Sequence, residues 1–136
     1  MTAPADAAKN QARVLGIIRI AILVGVLAFG AAIWVLQSRA GWHASVSPHD
    51  RGLRLMLRIA WLVGVLGVLA CFFVASSPKL AWRFPMLPAI GWALGELPAL
   101  AGAVHFLQTG DRQWYTWGVG ALLITYFIFP IRTARG

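Results

Sequence analysis

Residues 84–110 read FPMLPAIGWALGELPALAGAVHFLQTG, and Glu96 is both the only formal charge in this run and the only glutamate of the chain. A hydrocarbon core about 30 Å thick is crossed by about 20 predominantly apolar residues in helical conformation, so the run is expected to be a membrane span. An ionisable side chain near the middle of such a span costs at least about 2.5 kcal/mol on insertion scales and marks a functional site by default. Glu96 is therefore the candidate centre of the molecule.

Working outward, the chain is 136 residues long, 60% hydrophobic and only 12% charged, which excludes an ordinary soluble domain of this length. Apolar runs at residues 14–36, 57–76, 86–107 and 114–131 predict an all-α integral membrane four-helix bundle, built as two antiparallel helical hairpins in a single domain. Residues 1–13 carry no apolar period and are expected to form a short polar tail. The charge-free stretch 20–38 exceeds the 7 to 15 residues of a signal-peptide core, so the first span is expected to be a retained anchor. The net charge of +8 comes from cations scattered at the ends of apolar runs rather than from a block or stripe. That pattern points to lipid head groups and away from nucleic acid.

Several local expectations follow. Arg19 lies near the start of the first span, where a long side chain can reach back to the interface; pairing with Glu96 would need it deeper. Ser47 is expected to cap the second helix, with Pro48 at its first position and Asp50 in the first turn. Arg51, Arg54 and Arg58 then share one basic face, which reads as solvated or head-group-facing, or else as a docking patch for an acidic partner. Gly64 and Gly67 permit close approach of a neighbouring helix. Cys71, the single cysteine, reads as a small core residue. Residues 76–88, with Pro78, Pro85 and Pro88 beside Lys79, Trp82 and Arg83, read as an interfacial turn. Gly110 is expected to stop the third span and Asp111 to cap the fourth.

On the third span, Ala89, Ala93, Glu96, Leu100 and Ala103 fall on one stripe, while Gly91, Gly95, Pro98 and Gly102 fall on another face. Both faces are lean enough for neighbouring helices, so this span is expected to be the most enclosed. Pro98 lacks an N–H and leaves the carbonyl of Leu94 without its helical donor, an acceptor expected to serve Glu96 in holding a proton or small cation. Thr125 and Tyr126 fall at a similar depth on the fourth span, where a hydroxyl can bond the carboxyl. Burial disfavours the charged form of an acid, so Glu96 is expected to hold its proton at neutral pH. His105 is about 180° from Glu96 on the helix and reads as a satisfied or interfacial histidine. No metal site, cofactor motif, catalytic triad or phosphate loop is present in the sequence pattern, and an enzyme is not the expected class.

The stretch from Ala93 to Val104, ALGELPALAGAV, resembles the carboxyl-bearing helix of rotary ATPase proteolipid (c-type) subunits, in which Ala-Leu-x-Glu-x-x-Ala-Leu-x-Gly surrounds an ion-binding glutamate. The resemblance implies an ion-binding role for Glu96 alone. Pro98 departs from it, and the flanking spans lack that family's glycine ladder. The whole chain is also similar to small four-span bacterial membrane proteins of unassigned role, in which a glutamate helix precedes a Gly-Asp turn, here Gly110-Asp111, and a last span ends in proline, here Pro130.

The expected function is that of a structural or accessory subunit of a membrane complex, or a homo-oligomer, with Glu96 as a buried protonatable anchor. The alternatives are a proton- or sodium-handling protein using Glu96, and a lipid or cofactor binder using the tryptophan-rich margins. Counting Lys9, Arg13, Lys79, Arg83, Arg132 and Arg135, with Arg19, against Arg39, Arg51, Arg54 and Arg112, with Arg58, gives a small excess on the side of the termini. Both termini are therefore expected in the cytoplasm, the membrane being the bacterial inner one. Carbodiimide at neutral pH is expected to modify Glu96 at least as fast as a carboxyl engineered at the same depth; mass mapping of the modified residue checks this.

Overall fold

The computed structural model describes residues 4–81 and 83–131; the expectations for Trp82, Arg132 and Arg135 lie outside them. The described residues form four long helices and one short one: α1 Pro4–Gln37, α2 Arg51–Ser76, α3 Pro78–Ala81, α4 Leu87–Thr109 and α5 Gln113–Ile128. Three of these, α1, α2 and α4, are long and apolar enough to cross a membrane. At a rise of about 1.5 Å per residue, the 16 residues of α5 extend about 24 Å, short of a full hydrocarbon core. That helix stops at Ile128 because Pro130 follows, and the residue before a proline is pushed out of helical conformation.

α1 begins inside the expected polar tail. Ala7, Ala8 and Ala12 are strong helix formers and Asp6 sits in the first turn, where an acid complements the helix dipole. At α2 the cap is Asp50 and not Ser47: the Asp50 carboxylate accepts from the Leu53 N–H at 2.9 Å. Ser47 instead closes a turn, its carbonyl accepting from Asp50 N–H at 3.0 Å and its hydroxyl from His49 N–H at 3.2 Å. The proline after Ser47 thus belongs to a turn rather than to the first helical position. Gly110 ends α4 in left-handed conformation, φ 80°, with its N–H on the carbonyl of Phe106. Asp111 accepts from Gln113 N–H at 3.0 Å.

α4 is the centre of the packing. Of its 23 residues 12 are buried, against 4 of 16 in α5, and α1, α2 and α5 each lie along it. α1 and α2 follow one another in the chain but make no extended contact, so the expected first hairpin is opened by α4. α5 lies against the glycine face of α4: Gly91 abuts the Phe129 ring, Gly95 abuts Thr125, and Gly102 faces the main chain of Trp114 and Tyr115. Gly118 of α5 faces the main chain of Pro98 and Ala99 in return. Small residues let membrane helices approach to backbone contact, which replaces the hydrophobic driving force that lipid removes. α2 lies on another side, with Gly64 against Pro98 and the carbonyl of Leu94, and Gly67 against the Leu94 side chain.

The far end of α4 is closed by the α1–α2 loop. The Gln37 side chain donates to the Phe106 carbonyl at 2.6 Å, and the N–H groups of Ser45 and Val46 donate to the Gln108 carbonyl at 2.9 and 3.2 Å. The Gln108 carbonyl is among the last of the helix, which lack partners within it, while the Phe106 carbonyl accepts from Gln37 in addition to the Gly110 N–H. Gly102→Ala is expected to lower stability in detergent by about 1–3 kcal/mol, because a Cβ there would meet the Trp114 backbone at 2.6 Å. Gly120→Ala, with nothing within 4 Å, is expected to leave the unfolding midpoint unchanged or raise it; thermal unfolding of the two variants makes the comparison.

Candidate functional site

Taking α4 as an axis at about 100° per residue, its surroundings follow in order. α1 covers the side of Trp92, Ala99, Ala103 and Phe106, with Val26 and Ile33 in the same buried clusters. α5 covers the glycine side, and α2 covers Leu94 and Pro98. The remaining arc, between α1 and α2, carries Ile90, Ala93, Leu97, Leu100, Val104 and Leu107. Four of these, Ile90, Ala93, Leu100 and Leu107, are exposed and the other two half-buried. Glu96 is half-buried at the edge where α1 meets this open arc. It makes no hydrogen bond or ion pair within the described residues. Of the alanines expected to shelter it, Ala103 is buried against Ile33 while Ala93 is exposed.

The acceptor freed by Pro98 does not serve Glu96. Residues two apart on a helix point about 200° apart, and the Leu94 carbonyl faces Gly64 of α2, on the opposite side of α4 from the carboxyl. The two hydroxyls expected beside Glu96 are also engaged elsewhere. Thr125 donates back along its own helix to the Leu122 carbonyl at 2.6 Å. Tyr126 donates to the carbonyl of Arg19 on α1 at 2.9 Å, while its ring stays within electrostatic reach of Glu96.

Arg19 of α1 lies over two aromatic rings. Its guanidinium lies 4.5 Å from the centroid of the Tyr126 ring and 5.9 Å from that of Trp92. The two rings meet edge to face at 5.8 Å. Trp92 is fully buried, and its indole N–H donates to the Phe129 carbonyl at 3.2 Å. Arg19 thus rests on π faces, which attract a desolvated cation, and its N–H groups have no acceptor within the described residues. The sequence did hold a signal: Trp92 precedes Glu96 by one turn, on the same face, and a cation in α1 at that level meets it.

Further along, Tyr115 donates to the Val26 carbonyl at 2.8 Å, its ring passing over Gly30. Two tyrosines three turns apart on α5 therefore hold α1 by its main-chain carbonyls. A carbonyl oxygen has a second lone pair beyond its helical bond, and in a span it is the acceptor within reach for a hydroxyl that must not go unpaired.

His105, buried, lies at the far end of α4. Its Nδ1 is 3.4 Å from the Asp111 carbonyl and 3.3 Å from the Thr109 hydroxyl. The Thr109 proton goes to the His105 carbonyl at 2.8 Å, so both neighbours of Nδ1 are acceptors and the ring proton belongs there. Nε2 has no partner. Of the basic face, Arg51, Arg54 and Arg58 are all exposed, and Arg54 donates to the His49 carbonyl at 2.6 Å. Cys71 is buried and unpaired.

No protein-family model, curated protein or solved structure matches this chain. The candidate site consists of a carboxyl, Glu96, at the margin of an open helix face, and a cation, Arg19, stacked on aromatic rings of which Trp92 lies one turn away on α4.

Tyr115→Phe and Tyr126→Phe are each expected to cost about 0.5–1.5 kcal/mol, the net worth of one hydrogen bond. The hydroxyls stand about 16 Å apart along α5, so the double variant is expected to show the sum. Unfolding of the three variants in one detergent measures it.

Proposed function

We propose that the chain is a four-span membrane bundle serving as a structural subunit, which presents the open arc of α4 to a further transmembrane helix, supplied by a second copy or by a larger complex. The observation that carries this reading is the combination of an α4 held on three sides with an apolar strip, Ile90 to Leu107, left bare between α1 and α2. Aliphatic residues alone face lipid without difficulty. A half-buried carboxyl without a partner beside them does not, and an incoming helix with a donor would satisfy it. Glu96 then acts as a polar anchor that fixes the register of the contact. In this reading α5 crosses with the others by shortening its path at Pro130, and the termini face the cytoplasm of a bacterial inner membrane.

A second reading has a specific observation in its favour. Arg19 and Glu96 both lie within electrostatic reach of Tyr126, a juxtaposition suited to a carboxyl that takes up and releases a proton or sodium ion beside a fixed cation. The likeness to rotary proteolipid helices supports the same alternative. The extramembrane segments are short, which favours either reading over a catalytic one.

The deciding experiment is the size of the complex after mild extraction, for the native chain and three variants. Leu100→Trp, in the arc, and Glu96→Leu, which removes both oxygens, are expected to reduce the complex to single chains. Phe127→Trp, at a side chain 83% exposed on α5, is expected to leave it intact. If Glu96→Leu leaves the complex whole and abolishes proton or sodium flux in vesicles, the second reading replaces the first.

A further inference from the structure

The outer face of α2 carries two kinds of side chain in series. Arg51, Arg54 and Arg58 stand at its start, and Leu62, Val65 and Leu69 continue the same face; at about 100° per residue the six fall within an arc of about 80°. All six are exposed, while Leu53, Leu57, Gly64 and Val68 are buried on the opposite side of the helix. The charge-free part of α2, residues 59–76, extends about 27 Å at 1.5 Å per residue, close to the thickness of a hydrocarbon core, about 30 Å. Arg58 therefore stands at the edge of that core, and Arg51 about 10 Å further out. Helical side chains lean toward the N-terminus of their helix, here away from hydrocarbon, so the Arg58 guanidinium is carried back to the level of the lipid phosphates.

The charge of this face is uncompensated. Arg51 and Arg58 make no hydrogen bond or ion pair within the described residues. Arg54 donates to the His49 carbonyl, which engages one of the five N–H donors of a guanidinium. Asp50, the acid nearest in sequence, gives its carboxylate to the Leu53 N–H as the helix cap.

We propose that the outer face of α2 binds one anionic phospholipid, its phosphate between Arg54 and Arg58, Arg51 above it, and an acyl chain along Leu62, Val65 and Leu69. A guanidinium fork matches a pair of phosphate oxygens, and the apolar strip in line with it matches an anion that is joined to hydrocarbon. An acidic soluble segment meets the arginines and leaves the strip uncovered. A zwitterionic lipid brings its own cation among three others. This face lies opposite the side of α2 that packs on α4, so it is separate from the open arc of α4 and its fate is independent of the subunit reading above.

The test is retention of lipid by the full chain in mild detergent, read by native mass spectrometry against phosphatidylglycerol and phosphatidylcholine with identical chains. One phosphatidylglycerol per chain is expected in preference to phosphatidylcholine. At about fivefold per cation near a membrane surface, Arg58→Gln is expected to lower its retention about fivefold and the double variant Arg51→Gln, Arg58→Gln about twentyfold. Arg39→Gln, which removes the same charge from an exposed position in the α1–α2 loop, is expected to leave retention unchanged. The substituted side chains are all exposed, and circular dichroism establishes that each variant is folded. Equal retention of the two lipids by the native chain overturns the proposal, as does unchanged retention in the double variant. An equal loss in Arg39→Gln and Arg58→Gln shows diffuse surface charge and overturns the site. Displacement of the lipid by millimolar inorganic phosphate shows a free-anion site and overturns the lipid assignment. Loss of a co-purifying acidic protein in the double variant, with lipid retention unchanged, shows a protein-docking face and overturns it too.

Discussion

The contact on which the arrangement depends is backbone against backbone, where Gly118 of α5 meets the main chain of Ala99 and Gly102 of α4 meets that of Trp114. In lipid, apolar side chains gain little by turning from bilayer to protein, so association rests on close packing and on polar groups that find partners. Glycines at matched levels of two helices supply the first. They also bring α5 near enough for Tyr126 to span to α1, so the same approach that joins one helix pair positions the hydroxyls tying in a third helix. Trp92 completes the arrangement by fastening α4 to the end of α5 through the Phe129 carbonyl.

Two charges on the same side of α4 are handled differently. Arg19 is accommodated on the faces of Tyr126 and Trp92 without an anion, and Glu96 lies nearby without a cation bonded to it. The two groups share Tyr126 as an electrostatic neighbour but are not an ion pair. Each keeps its hydrogen-bonding capacity unspent among the described residues. The polar groups that hold the bundle together are instead hydroxyls, an indole and the amides of Gln11 and Gln37, all directed at main-chain carbonyls.

Much of this was legible in the sequence, because the period of small residues is a geometric statement. The separation of Gly91, Gly95 and Gly102 from the Glu96 stripe follows from helical angles alone, and α5 does lie on that glycine face. The bounds of α4 and the ends of α1 and α2 at Gln37 and Ser76 follow from their apolar runs, and the stop at Gly110 from its tolerance of positive φ. What was hidden is which helix each face meets. Ser47 and Asp50 are both sound capping residues, and only the turn closed by the Asp50 N–H on the Ser47 carbonyl decides between them. The carbonyl freed by Pro98 is visible from sequence, but its direction away from Glu96 needs the helical angle to be applied to the acceptor as well as to the side chains. The place of Arg19 near the start of the first apolar run is visible in the sequence, but the rings beneath its guanidinium are brought to it by α4 and α5.

The length of α1 has a consequence of its own. Its 34 residues make a rod of about 51 Å at 1.5 Å per residue, against a hydrocarbon layer of about 30 Å. Fitting the whole rod inside that layer by inclination alone would require about 54° from the membrane normal, more than transmembrane helices adopt, which is up to about 40°. Part of the rod must therefore stand clear of the oily layer. The segment with the charges, Asp6 to Arg13, is the end that emerges, so the first helix carries its own mast into the water on one side and presents Lys9 and Arg13 at a fixed height above the lipid.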